Sequence, residues 1–159
     1  MRDRSGISAT RKAHWYTDMR YTSVPPIASI RYATEVPPSG GDTNFMNMYK
    51  VYDSLLGKLK LRIEDLSIKH DRSYTAVGDL RHGYEPIIDV SKSPGAIHPI
   101  VGRHPVTGSV SLYRDRPLNS YVVRSVRGRI RCVCGRTLAI HRGIGVACRH
   151  KWKVGDVVI

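Results

Sequence analysis

Between residues 48 and 63 apolar residues recur at Met48, Val51, Tyr52, Leu55, Leu56, Leu59 and Ile63. Steps of three and four are the helical period, so the stretch predicts a helix with one buried face. Asn47 stands where an N-cap belongs, and Gly57 divides the run into two shorter helices. Elsewhere the spacing changes. Ala28-Ser29-Ile30-Arg31-Tyr32-Ala33, after the turn at Pro25-Pro26, predicts a strand, and residues 66–70 predict another. Pro37-Pro38-Ser39-Gly40-Gly41 is a loop by composition. Gly78, Gly83, Pro86, Pro94 and Gly95 punctuate residues 71–97, which predict irregular chain. Residues 97–103 and 109–113 predict a hairpin turned by Pro105-Val106-Thr107-Gly108. Gly155-Asp156 leads into Val157-Val158-Ile159, the start of an apolar strand. No internal repeat is visible. Short strands with a helical insertion predict an α+β to mainly β fold, a sandwich with helices on one side.

Composition narrows the class. A chain of 159 residues is at most one ordinary domain, and 41% apolar residues suffice for a core. No apolar run approaches the ~18 residues of a membrane span. Met1-Arg2-Asp3-Arg4-Ser5 has no apolar signal region, and residues 1–13 predict a charged, poorly ordered end. Three cysteines fit a reducing cytoplasm better than a disulfide framework. The net charge of +13 and pI near 10.1 would ordinarily point to nucleic acid or an anionic surface. That charge is uneven. Residues 124–150 hold seven arginines, no lysine and no acidic residue, and they supply +7 of the total. All three cysteines, Cys132, Cys134 and Cys148, lie there as well.

Three stretches outside that segment carry the chemistry. They are Trp15-Tyr16-Thr17-Asp18-Met19, then Val36-Pro37-Pro38-Ser39-Gly40-Gly41-Asp42-Thr43, then His98-Pro99 followed by His104-Pro105-Val106-Thr107-Gly108. In this order they resemble the taurine dioxygenase / 2,4-dichlorophenoxyacetate dioxygenase family of Fe(II)- and 2-oxoglutarate-dependent oxygenases. The resemblance covers residues 14–123 and 149–159. It implies a double-stranded β-helix, or jelly-roll, with iron in its mouth. It implies that Asp18 is the carboxylate ligand of Fe(II), and that Thr43 bonds a carboxylate of 2-oxoglutarate. The family histidine of the first motif is Tyr16 here, and a phenol, protonated at neutral pH, is a poor ligand for Fe(II). His14 falls outside the motif. The resemblance also implies that the distal histidine and the arginine clamping the cosubstrate belong beyond Ile159. The family's Arg-Thr before the second His-Pro reads Gly102-Arg103 here.

The arginine-rich segment, 124–148, is foreign to this pattern, since the family has an acidic helix ending in tryptophan there. A frameshift is the economical explanation. With suitable codons, residues 126–132 read one base later become a run of glutamates and serines. The frame would return at Arg149-His150. The competing reading is a zinc knuckle built from Cys132, Cys134, His141, Cys148 and His150, on a basic surface that binds nucleic acid. Its single-residue spacers are not the usual knuckle, and no aromatic residue interleaves the arginines for stacking. The expectation is therefore an incomplete jelly-roll by descent from an enzyme that hydroxylates a small, anionic substrate and converts 2-oxoglutarate to succinate and CO2. Impaired activity is expected of this chain, and neither nucleic acid nor membrane is expected as a partner.

Overall fold

The computed structural model describes residues 15–75, 78–87, 89–113, 120–124 and 145–159. The charged end at 1–13 and residues 125–144 of the arginine-rich segment lie outside these.

The two helices form where the periodicity places them. Helix α1 spans Met48–Asp53 and α2 spans Gly57–Ile63. The Oδ1 of Asn47 accepts from the N–H groups of Tyr49 at 3.1 Å and Lys50 at 3.0 Å, which satisfies two of the orphan donors of the first turn. Val51, Leu55 and Ile63 face inward and join Leu66, Ile68, Ile100, Leu112, Val122 and Val146 in one core.

The strands are short and all their ladders are antiparallel. β3 (Leu66–His70) buries Leu66, Ile68 and His70 on one face, the alternation a pleated strand requires. It lies between β4 (Ile97–Pro99) and β7 (Ser120–Arg124), with Ile68 opposite both His98 and Val122. β2 (Thr43–Met46) pairs with β8 (Ala147–His150), and β1 (Arg31–Tyr32) pairs with β9 (Val157–Val158). The β1·β9, β2·β8 and β3·β7 ladders are therefore nested one inside the next, so early chain repeatedly meets late chain. This brings Thr43 opposite His150 and Arg31 opposite Val158.

Two predicted strands are revised. Residues 28–33 contain only the two-residue β1, because β9 offers two partners, and Ile30 stays exposed. The first arm of the predicted hairpin, 97–103, divides at Ile100. β4 joins β3, whereas β5 (Val101–Arg103) pairs with β6 (Val110–Leu112). Ile100, fully buried, links the two: its N–H donates to Leu66 at 2.9 Å and its carbonyl accepts from Tyr113 at 2.7 Å. Residues 71–97 are irregular as predicted where described, apart from a short 3-10 turn at Val90–Lys92 and a bridge between Tyr74 and Leu80.

Candidate active-site pocket

The segment carrying Tyr16 and Asp18 has no regular structure, so side-chain anchors must hold it. A turn with Met19 at φ 51° is closed by the Thr22 N–H donating to the Met19 carbonyl at 3.0 Å. His98, of the first His-Pro pair, donates from Nε2 to the Thr22 carbonyl at 2.9 Å. Arg20 is buried and reaches the Thr17 carbonyl at 3.3 Å. The guanidinium groups of Arg81 and Arg72 lie over the ring of Tyr21, 5.1 and 5.7 Å from its centre. Beneath this turn His70 is fully buried, with its ring 5.7 Å from His98 and 5.6 Å from Tyr113. Neither ring nitrogen of His70 has a hydrogen-bond partner. Burial first, then the positive charge of Arg20 and then His98, lower its pKa to about 3. The motif histidine His104 is occupied elsewhere, its Nδ1 accepting from the N–H groups of Val106 and Thr107 at 3.2 Å in the hairpin turn.

The second motif is fixed just as firmly. Gly40 and Gly41 take φ of 77° and 75°, the left-handed region that favours glycine. Asp42 then pairs with Arg149 of β8 at 2.5 Å. Thr43 Oγ1 accepts from Trp152 Nε1 at 2.9 Å. The ring of Trp152 lies edge-on to His150, 4.6 Å between centres, and His150 Nε2 sits 3.1 Å from Asp156.

These anchors bring Tyr16, Asp18 and Thr43 to one cavity of about 200 Å³, lined also by Trp15, Arg31 and Phe45. A second cavity of about 240 Å³ shares Arg31 and Thr43 and reaches Glu35 and Trp152. Arg31 is the residue that sequence reasoning missed. Its Nη2 donates to the Tyr16 hydroxyl at 2.7 Å and lies 3.6 Å from Asp18 Oδ2. The hydrogen bond to Tyr16, with a smaller contribution from Asp18, raises the Arg31 pKa further above its ordinary value. Only its position in β1, which read as an ordinary strand residue, puts it opposite Tyr16.

The family model described as "Taurine catabolism dioxygenase TauD, TfdA family" matches residues 2–159. The chain belongs to the TauD/TfdA family. Pentalenolactone F synthase of Streptomyces arenae is similar to it, 28% identical over 174 residues, covering 97% of this chain and 55% of that protein. The (S)-phenoxypropionate/alpha-ketoglutarate-dioxygenase of Sphingobium herbicidovorans is 29% identical over 157 residues, covering 91% of this chain and 52% of that protein. The crystal structure of AAD-2 in complex with Mn(II) and N-oxalylglycine superposes with a TM-score of 0.71 at 26% identity, covering 90% of this chain and 56% of that one. This chain thus spans about half the length of these relatives. TauD/TfdA enzymes are oxidoreductases that depend on Fe(II) and 2-oxoglutarate and act on small molecules.

Iron does not fit the donors assembled here. Around Asp18 stand the Tyr16 phenol and the Arg31 guanidinium, and a guanidinium has no lone pair to give a metal. Among the described residues no group of three or more His, Cys, Asp or Glu side chains converges on one point. His98 is committed to Thr22 and His150 to Asp156. Of the residues in the zinc reading, Cys148 is an exposed strand residue of β8, while Cys132, Cys134 and His141 lie outside the described residues. TauD/TfdA membership favours the dioxygenase reading over the zinc knuckle. No helix among the described residues is long and apolar enough to cross a membrane.

Proposed function

We propose that the chain derives from an Fe(II)/2-oxoglutarate-dependent dioxygenase that hydroxylates a small, anionic organic substrate, and that the 159-residue chain is itself impaired in that reaction. The observation that carries this reading is the convergence of Tyr16, Asp18 and Thr43, from two separate motifs, on one cavity. Asp18 is the proposed carboxylate ligand, and Tyr16 occupies the position of the family histidine. Thr43 is the proposed hydrogen-bond partner of a 2-oxoglutarate carboxylate. Its hydroxyl accepts from Trp152 and therefore keeps its own proton to donate. A substrate of anionic character agrees with a relative named for phenoxypropionate.

The proposed organisation is an incomplete double-stranded β-helix. Residues 14–123 form the dioxygenase-like body, 124–148 are foreign sequence from a shifted reading frame, and 149–159 return to the family pattern. The return at 149–159 is supported by Arg149, His150 and Trp152 all engaging the Gly40-Gly41-Asp42-Thr43 motif or its ladder. The proposed location is the cytoplasm, in keeping with the low cysteine count.

Turnover tests the reading. With Fe(II), ascorbate and 2-oxoglutarate, the purified chain is expected to release no succinate above a no-enzyme control. Tyr16→His alone is expected to leave that result unchanged, because two ligands still hold the metal poorly and the guanidinium of Arg31 remains beside Asp18. Iron-dependent succinate formation by the unmodified chain would contradict the impairment.

A further inference from the structure

We infer that Arg31 is the resident cation of this pocket and that, together with Tyr16, it closes the Asp18 site to divalent metals. The inference rests on the dioxygenase reading only for the choice of Asp18 as the residue a metal would approach.

A metal ligated by Asp18 would need the carboxylate's free lone pairs and a site without another cation. Arg31 Nη2 already lies 3.6 Å from Asp18 Oδ2. A dication on that carboxylate would stand within a few ångströms of a group that cannot be deprotonated in a protein. Arg31 is not free to swing aside without loss, because the same nitrogen donates to Tyr16 at 2.7 Å. Its backbone is held too, in β1, opposite Val158. The two residues depend on each other. A neutral histidine at position 16 would offer Arg31 one ring nitrogen as acceptor, but a metal bound to that nitrogen would take the acceptor away, so Arg31 and the metal would compete. An apolar residue at position 31 would leave the Tyr16 hydroxyl and the Asp18 carboxylate facing the cavity without a partner. Phenol and guanidinium therefore form a matched pair that neutralises Asp18 without a metal.

Calorimetric titration with Ni(II) tests this on the full chain, since nickel binds imidazole and carboxylate sites tightly among divalent metals. The proteins are the unmodified chain, Tyr16→His, Arg31→Leu and the double variant Tyr16→His/Arg31→Leu. Each is repeated with Asp18→Asn to subtract binding by other histidines. Asp18-dependent binding is expected to be absent from the unmodified chain and both single variants. It is expected to appear in the double variant, at least ~10-fold tighter than the weakest binding the titration of the single variants would detect. Where the leucine variant does not fold by circular dichroism, Arg31→Gln removes the charge and keeps the polar reach. Asp18-dependent binding by the unmodified chain overturns the inference. So does equal affinity of Tyr16→His and the double variant, or no binding by a folded double variant. Turnover is not the readout. A metal site restored in the double variant with no binding of 2-oxoglutarate would count against the dioxygenase reading and leave the role of Arg31 standing.

Discussion

Gly95→Ala is expected to destabilise the protein more than any single substitution on its surface, by about 4 kcal/mol or more. Gly95 has φ of 136°, a conformation that residues with a Cβ rarely adopt. The backbone on either side of it extends the edge of β3: the His70 N–H donates to the Ala96 carbonyl at 2.8 Å and the Arg72 N–H to the Pro94 carbonyl at 2.7 Å. A methyl group on Gly95 would overlap the carbonyl oxygen of His70 and press on the amide of Arg72. Relief requires β3 and the segment before β4 to separate. That opens the core beside Ile68 and loosens His98, which anchors the turn after Asp18. Against a typical domain stability of about 5–15 kcal/mol, much of the folded population would be lost. Urea unfolding followed by tryptophan fluorescence measures this. A midpoint shift worth less than ~1 kcal/mol would show that the close approach is not required.

The second large effect is a loss of stability in mild acid. His70 is buried and neutral, with a folded pKa near 3 set first by burial, then by Arg20 and His98. In the unfolded chain the same imidazole titrates at an ordinary value of about 6.5. Between those values the unfolded state binds the extra proton, so stability rises with pH across that window. The contribution of His70 is complete above about pH 6.5, declines as the pH falls towards about 3, and is flat below that. The limiting slope for one proton is ~1.4 kcal/mol per pH unit, so the loss over the window is a few kcal/mol. His98, Tyr113 and Arg20 surround the ring. His70→Phe keeps a ring against His98 and Tyr113 and removes the two nitrogens that lack partners. Urea midpoints compared at pH 7 and pH 5 are expected to fall clearly for the unmodified chain and less for His70→Phe. Equal falls in the two proteins would show that His70 does not carry the acid sensitivity.

What the sequence made legible followed local rules. The helix pair could be read because a 3.6-residue apolar period and a cap at Asn47 are short-range signals, although the break falls at residues 54–56 and Gly57, expected to divide the run, opens α2. β3 could be read from its alternation. The division at Ile100 could not, because alternation says nothing about which partner each half of a strand takes. Likewise, residues 28–33 look extended throughout, but the length of β1 is set by β9, more than a hundred residues later. The pocket divides along the same line. Tyr16, Asp18 and Thr43 stood out because ordered motifs mark them. Arg31 did not, because its significance is a contact across fifteen residues of irregular chain. His70 read only as the last residue of a strand, and its charge state depends on burial that no spacing reveals. Asp42 and Arg149, and Thr43 and Trp152, meet only through the β2·β8 ladder.

We infer that this TauD/TfdA chain holds Asp18 and Thr43 in one pocket whose charged centre is filled by Arg31. A crystal of the chain soaked with Mn(II) and N-oxalylglycine, the pair bound in the AAD-2 structure, tests that claim most directly. Anomalous maps are expected to show no manganese at Asp18, with the Arg31 guanidinium still bridging Tyr16 and Asp18. A manganese peak bonded to Asp18, with Arg31 displaced from Tyr16, would contradict it.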